Sequence, residues 1–563
     1  MKVWKIHQKI SSASAEKRRQ LIINWLLKER GLTTLEKQKQ FLQPPLPTKL
    51  AAKELEFDAK NLRRAIDRVV LAIKSQEPII VYGDYDADGI CATAILWETL
   101  HQLGAKALPF LPHRLKHGYG LSVAGLKDAL KEISAKPLVI TVDNGIVAHE
   151  AVDYANQEGI DVVITDHHVA AKSLPKAHSF VHTTKLAGSG VAWFFAQAIA
   201  KRLKKPIPDT LELAAIGSVA DMVPLLGANR NLVKHGLESL KHTTRIGLKH
   251  LFQEAQVDPK IIDTYQINYI VAPRLNAMGR LGHALDSLRL LCTTNFTRAR
   301  ELATTLGVTN RDRQLLTEEQ LLHAQNLAKK QLATHKVLVV AHESYHEGVI
   351  GLIAGKLTEI YWRPAIVLSL NGLTAKASAR SIPGYDIIAA LRQFNDLFVN
   401  VGGHPMAAGF TIEARKIATL TKKLQGHARK ILTWDMLQRT LNIDCEINLA
   451  DITQTLHHEL TQFEPFGMDN QRPVFATKNV TVLDSRAVGS DKSHLKLTIS
   501  QGKDIFPAIG FRLGEYAAKL SATGGSAVRG GKPHASVDLA YTLDLNQWNG
   551  KKELQLKIKD IQA

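Results

Sequence analysis

Apolar runs that end abruptly in acidic or histidine residues recur in the first half of the chain: IIVYGDYDADG (79–89), LVITVDNG (138–145) and DVVITDHH (161–168). Between about 71 and 225, short Val/Ile-rich runs alternate with helical patterns such as ATAILWETLHQLG, which predicts a parallel α/β sheet. From about 226 to 330 the periodicity is helical, and EEQLLHAQNLAKKQLATH reads as a long charged helix, serving as a connector or within a packed bundle. A second α/β unit opens with the strand HKVLVVAHES (335–344), continues through the helix GVIGLIAGKLTEIYW and the strand RPAIVLSL, and reaches the loop VGGHPMAAG (401–409). After about 445, alternating segments such as KNVTVLDSRAVG and SHLKLTIS carry β periodicity, broken by a flexible loop, ATGGSAVRGGKP (522–533). Several short strands with glycine loops favour a small OB-type β-barrel over a β-sandwich.

These boundaries divide the chain into an amino-terminal lead-in (1–70), a first α/β domain (71–225), a helical connector (226–330), a second α/β domain (331–440) and a β domain (441–563). A length of 563 residues suits several domains rather than one core.

Residues just past the carboxyl ends of parallel strands gather in one crevice. Asp84, Asp86, Asp88, Asp143, Asp166, His167 and His168 therefore converge although they are scattered along the chain. Uncompensated, so many carboxylates repel one another, and bound divalent cations are the simplest way to hold them. Asp84, Asp86 and Asp88 occupy alternate positions, which on an extended segment point to one side, before a helix expected to begin near Ile90. The run resembles the start of a calcium-binding EF-hand loop, but the place where that loop needs a glutamate is Ile95. Taken singly, Asp143-Asn144-Gly145 is a turn signal, whereas adjacent histidines after a buried strand are uncommon. Mixed Asp and His with no cysteine point to a dinuclear manganese or magnesium site. Asp221, in GSVADMVPL, is placed to complete or bridge such a pair, which activates water for phosphoryl hydrolysis. Cations for a phosphate are Arg274 and Arg280 in APRLNAMGR and Arg380 in ASARSIPG, and the glycine-flanked His404 lets backbone amides approach an anion.

Lys and Arg exceed Asp and Glu by 72 to 53, a net charge of +19 despite the acidic clusters. A basic surface around an acidic site suits a polyanion, nucleic acid first. Cys91, Cys292 and Cys445 form no CxxC pair, which argues against a disulfide scaffold or zinc knuckle and fits a reducing compartment. The amino terminus lacks an apolar signal core and no run reaches membrane-spanning length, so a soluble, cytoplasmic protein with no membrane role is expected, with a monomer as the default.

Taken in order, DYDADG, VDNG, DHH, SVADMVPL, PRLNAMGR, GVIGLIAGKL, SARSIPG and GGHPMAAG resemble the DHH/DHHA1 phosphoesterase superfamily, and within it the exonucleases specific for single-stranded DNA. The resemblance spans roughly residues 70 to 480, with the following region matching that family's OB domain. It implies an α/β protein in which DHH and DHHA1 domains, joined by the connector, enclose a catalytic cleft, with a C-terminal OB-type barrel. It further implies a Mn²⁺- or Mg²⁺-dependent 5′ to 3′ exonuclease that releases mononucleotides during recombination and repair, alongside single-strand binding protein and a RecQ-type helicase. Residue by residue, it implies Asp86, Asp88, Asp143, His167 and Asp221 as metal ligands, with Asp84 and His168 as supporting ligands or catalytic helpers. Arg280 and Arg380 would stabilise charge as it develops, and Asn276, Arg280, Ser378, Arg380 and His404 would hold the substrate. The chain departs from the family pattern at Ile90-Cys91, at Ala377 and Ala379, where glycines are common, and within PFGMDNQRP (465–473). The rival readings are a relative acting on cyclic dinucleotides or short oligonucleotides, and a non-catalytic nucleic-acid-binding scaffold that has lost its carboxylates.

Overall fold

The computed structural model describes residues 2–11, 14–131, 133–522, 535–548 and 551–562. The chain forms two compact units, one of residues 1–44 with 438–563 and the other of residues 45–437. The stretch 1–70 is thus not one lead-in. Its strand β1 (Val3–Lys9) belongs to the first unit, whereas helix Ala59–Ser75 belongs to the second.

In the second unit, strands β2 (Ile79–Tyr82), β3 (Ala107–Phe110), β4 (Leu138–Val142), β5 (Val162–Asp166) and β6 (Ser179–His182) form a parallel sheet in the order β3-β2-β4-β5-β6. Strands β2, β4 and β5 are buried along their whole length because helices cover both faces. Ile79, Val81, Ile140 and Val163 enter the core beneath helices Ala87–Gln102, Gly188–Leu203 and Leu211–Ala220, while Ile80, Tyr82, Val139 and Ile164 enter the core of the opposite face. The chain leaves β2 for β3 at the edge and returns to β4 on the other side of β2. This reversal opens a crevice at the carboxyl ends of β2 and β4, the position where open α/β sheets bind ligands.

Helices follow through the connector, ending in Ala272–Leu281, Leu285–Cys292 and the long Phe296–Lys329, which Asn295 caps by accepting from the Arg298 N–H (2.9 Å). The second sheet contains β7 (Leu338–His342), β8 (Ala365–Asn371), β9 (Thr374–Arg380), β10 (Phe398–His404) and β11 (Ala407–Glu413), ordered β10-β11-β9-β8-β7. Only β7 and β8 pair in parallel; the remaining pairs are antiparallel. The stretch 401–409, expected as a loop, is instead the hairpin β10–β11 turning at Pro405-Met406. Its glycines suit a pleated surface that leaves the sheet face bare.

In the first unit, β1 pairs in parallel with β12 (Thr440–Glu446), which pairs in parallel with β13 (Phe475–Val488). Strands β13, β14 (His494–Gln501), β15 (Asp504–Gly510), β17 (Lys551–Gln562) and β16 (Ser536–Trp548) then close through β16–β13 pairing into a five-stranded barrel, as expected of an OB domain. The loop expected at 522–533 lies, beyond Ala522, outside the described residues. In PFGMDNQRP the departures Asp469 and Gln471 are exposed, whereas Asn470 is buried and donates to the Phe463 and Pro465 carbonyls while accepting from Arg30. Among the described residues no helix is long and apolar enough to cross a membrane.

Candidate active site

The β2–helix turn sets the first carboxylates. Asp86 caps helix Ala87–Gln102, its Oδ1 accepting from the Gly89 N–H (3.0 Å), so the helix begins earlier than the expected Ile90. Asp88 therefore lies in the first helical turn, and the three aspartates do not share one extended run. They split instead between two groups: Asp84, Asp86 and Asp143 can hold one metal ion, and Asp88, His167 and Asp221 another, with the ligand atoms of each group within 4.8 Å of one another. Asp143, His167 and His168 make a third combination within the same limit, so the groups adjoin.

Each ligand candidate is held from behind. Asp88 receives the Gly188 N–H (2.6 Å) and the Ser189 N–H (3.0 Å) from the start of helix Gly188–Leu203. Asp143 adopts the left-handed conformation at φ 63°, a strained state for a residue with a side chain that recurs at functional sites. Asn144 fixes that turn by donating to the Val142 carbonyl (2.8 Å), and Thr141 donates to the Asn144 carbonyl (2.7 Å). The turn signal and the ligand candidate are thus one structure. Asp221 caps the end of helix Leu211–Ala220.

Asp166 was recognised at its strand end without an assigned role, and the structure gives it one. Its Oδ2 accepts from the Ile146 N–H (2.9 Å), and its Oδ1 accepts from the His167 and His168 N–H groups and contacts His168 Nδ1 (2.7 Å). Such a carboxylate–imidazole pair fixes the orientation of the ring. Burial opposes protonation of His168, but Asp166, Asp221 and Asp84 outweigh it and push His168 up to about 9. Tyr119 Oη lies 2.9 Å from the other nitrogen of His168.

Burial and mutual repulsion hold the Asp84, Asp86 and Asp143 carboxyls above the usual carboxylate range and push Asp221 up to about 8. His167 Nε2 lies 3.1 Å from Asp143 Oδ1 and 3.5 Å from Asp221 Oδ2. Asp84 Oδ2 is buried without a hydrogen-bond partner, and the close approach of buried His167 Nε2 and Asp143 Oδ1 lacks hydrogen-bond geometry. Orphaned oxygen and imidazole donors converging on one space fit divalent cations of the Mg²⁺ or Mn²⁺ class.

Beside the carboxylates stand cations. Arg280 is pushed down to about 10 by burial and by repulsion from Arg114, Arg313 and Arg380, while Asp86 acts the other way. Its Nη1 donates to the Gly348 carbonyl (3.1 Å), and Arg380 Nη1 donates to Ser378 Oγ (3.1 Å) and the Ala379 carbonyl (2.8 Å). Across β9, β11 and β10, Arg380 faces Ala407, which faces His404; Ser378 faces Gly409, which faces Gly402. Directly paired positions share a sheet face, so Ser378, Arg380 and His404 border a strip left bare by two glycines. Ala377 and Ala379 point to the other face, into the core, so these departures fill a strand interior.

His404 is exposed near the hairpin turn. Asn276 Oδ1 accepts from the Ala87 N–H (2.7 Å) and braces the aspartate turn. Arg274 is not available to a phosphate, because it is engaged with Glu254 (2.7 Å) and the Ile270 carbonyl. Sequence reasoning missed Arg114, Tyr119 and Arg313. The strand-end rule applied to LPHRLKHGYG would have found the first two, but the preceding strand ALPF is short and contains a proline.

Residues 78–218 match the DHH family, N-terminal domain; residues 334–430 match the DHHA1 domain; and residues 443–560 match the RecJ OB domain. The chain is 34% identical to the single-stranded-DNA-specific exonuclease RecJ of Bacillus subtilis, over 99% of this chain and 70% of that one. It is 30% identical to the Escherichia coli RecJ, over 92% and 96% of the two chains. The crystal structure of Thermus thermophilus RecJ in complex with Mn²⁺ superposes with a TM-score of 0.80 at 27% identity, covering 100% of this chain and 79% of that one. With this architecture, these domain matches and these identities, the chain belongs to the RecJ family of single-stranded-DNA-specific exonucleases.

Proposed function

We propose that the chain digests single-stranded DNA from its 5′ end by two-metal phosphodiester hydrolysis, releasing mononucleotides. The observation that carries this reading is the adjacency of two clusters: carboxylates with orphaned, repelling oxygens, and arginines that repel one another. Bound divalent cations and a phosphodiester would relieve both repulsions. In this reading Asp84, Asp86 and Asp143 hold one cation and Asp88, His167 and Asp221 the other. Two such cations activate water and neutralise the attacking and leaving oxygens.

The chain's own residues do the rest. Arg280 and Arg380, each tethered through Nη1, present their remaining N–H groups to the phosphate and stabilise its developing charge. Ser378 and His404 line the same face, and Asn276 keeps the aspartate turn in place. His168, oriented by Asp166, would hold or supply a proton at the reacting phosphate. The barrel, an architecture that binds oligonucleotides, adds a second surface for the strand. The proposal extends to cytoplasmic work on strands that a RecQ-type helicase exposes and single-strand binding protein coats.

Digestion of 5′-labelled and 3′-labelled single strands with Mn²⁺, beside duplex and cyclic di-AMP, tests the reading. Immediate release of labelled mononucleotide from the 5′-labelled strand alone, with duplex spared, is expected. Cleavage of the cyclic dinucleotide alone would replace it with the small-substrate reading.

A further inference from the structure

Upstream of Asn276 and Arg280 on the same helical segment, two large side chains stand in solvent: Tyr265 and Tyr269 are 60% and 64% exposed. They lie four residues apart. The two tyrosine rings touch, with centroids 4.9 Å apart and planes tilted by 37°. Scattered exposed hydrophobic residues need no explanation, but a contiguous strip of them marks a binding surface.

The strip is built rather than frayed. Asp263 closes a capping box, accepting from the Tyr265 and Gln266 N–H groups while its own N–H donates to Gln266 Oε1 (3.0 Å), which fixes the turn that carries Tyr265. Tyr269 lies in a π-helical turn, Ile267–Val271, a distortion often found at functional sites. Ile267, Val271 and Leu275 are buried, so the tyrosines are displayed on the outer side of a segment whose inner side is anchored.

We infer that Tyr265 and Tyr269 form a stacking platform for the bases of the single strand that trails from the active site. This rests on the single-strand reading above. The segment runs without a break into helix Ala272–Leu281, which carries Asn276 and Arg280. At about 1.5 Å of helical rise per residue, Tyr269 lies ~16 Å and Tyr265 ~22 Å along the axis from Arg280. At about 3.4 Å per stacked nucleotide that distance corresponds to roughly the fifth to seventh nucleotide. A tyrosine face accepts any base, as an enzyme that degrades strands irrespective of sequence requires. The chain's net charge of +19 further suits a polyanion over an acidic or neutral protein partner.

The test uses the full chain and phosphorothioate 20-mer strands carrying 2-aminopurine at the fifth, sixth or seventh nucleotide. Quenching of the probe by the parent protein is expected, with loss of quenching in Tyr265→Ala/Tyr269→Ala. The Kd for the strand should rise about tenfold for each tyrosine removed, and Tyr265→Phe/Tyr269→Phe should keep both properties. Quenching and affinity unchanged in the double alanine variant would overturn the platform. A parent protein that neither binds the 20-mer nor cleaves the unmodified strand would overturn the single-strand reading on which it rests.

Discussion

Replacing Gly188 by alanine should disable the enzyme without removing any of its ligands. Gly188 opens the helix whose N–H groups hold Asp88, and a Cβ there would lie 2.3 Å from Asp143 Oδ1 and 2.5 Å from Asp143 Cβ and Cγ. Comfortable carbon–carbon contacts begin near 3.5 Å, so either Asp143 or the helix start must move by about 1 Å. Asp143 has no free volume to retreat into: it is 2% exposed and held by a left-handed turn. Movement of the helix instead displaces Asp88, so either relaxation spoils one of the two ligand groups. A misplacement of about 1 Å costs on the order of 10²-fold in rate, and disturbed support around a metal costs about 10- to 100-fold in its affinity. The assay is kcat on a 5′-labelled strand across a Mn²⁺ titration, with Mn²⁺ affinity by calorimetry and folding by circular dichroism. A folded Gly188→Ala variant within twofold of the parent in both kcat and Mn²⁺ affinity would refute the reasoning. Gly426→Ala is the matched control: this exposed helical glycine has nothing within 4 Å of its would-be Cβ. It should gain about 0.8–1 kcal/mol of stability with unchanged activity.

Asp143→Ala should abolish cleavage while leaving the Kd for a single strand close to the parent value; loss of binding with cleavage retained would contradict its role. Arg245 bridges Glu98 (2.6 and 3.0 Å) and Glu212 (3.0 Å), both largely buried. Arg245→Met therefore leaves two uncompensated acids and should cost about 3–5 kcal/mol in urea unfolding, a loss below about 1 kcal/mol arguing against it. In the metal-free protein the Asp84, Asp86, Asp143 and Asp221 carboxyls retain protons that the unfolded chain releases near pH 4. Protons bound preferentially by the folded state mean that stability falls as pH rises, through about 8 for Asp221. The Tm in EDTA should accordingly drop between pH 5 and pH 8, and Mn²⁺ should restore more of it at pH 8; a Tm in EDTA that is flat with pH would count against the clustered carboxylates.

The sequence by itself pointed to the convergence of Asp84, Asp86, Asp88, Asp143 and His167, because ends of parallel strands share one edge of a sheet and apolar runs that stop at charge mark those ends, whereas Asp221 joins them from the end of a helix. Its period-2 segments likewise determined a β-rich carboxyl-terminal domain. The grouping of the ligands was decided only by the fold. One capping hydrogen bond, from the Gly89 N–H to Asp86, starts the helix early and carries Asp88 away from Asp84 and Asp86, a choice that residue spacing does not encode. The cations followed the same division. Arg280 and Arg274 share a motif, yet one faces the cleft and the other is consumed by Glu254, a partner twenty residues away. Contacts between distant segments also placed Arg114 and Arg313 beside Arg280 and drew β1 into the sheet of the carboxyl-terminal unit. Local patterns report which backbone conformation is favoured and which face is apolar. Which charges meet is settled by packing between segments far apart in the chain.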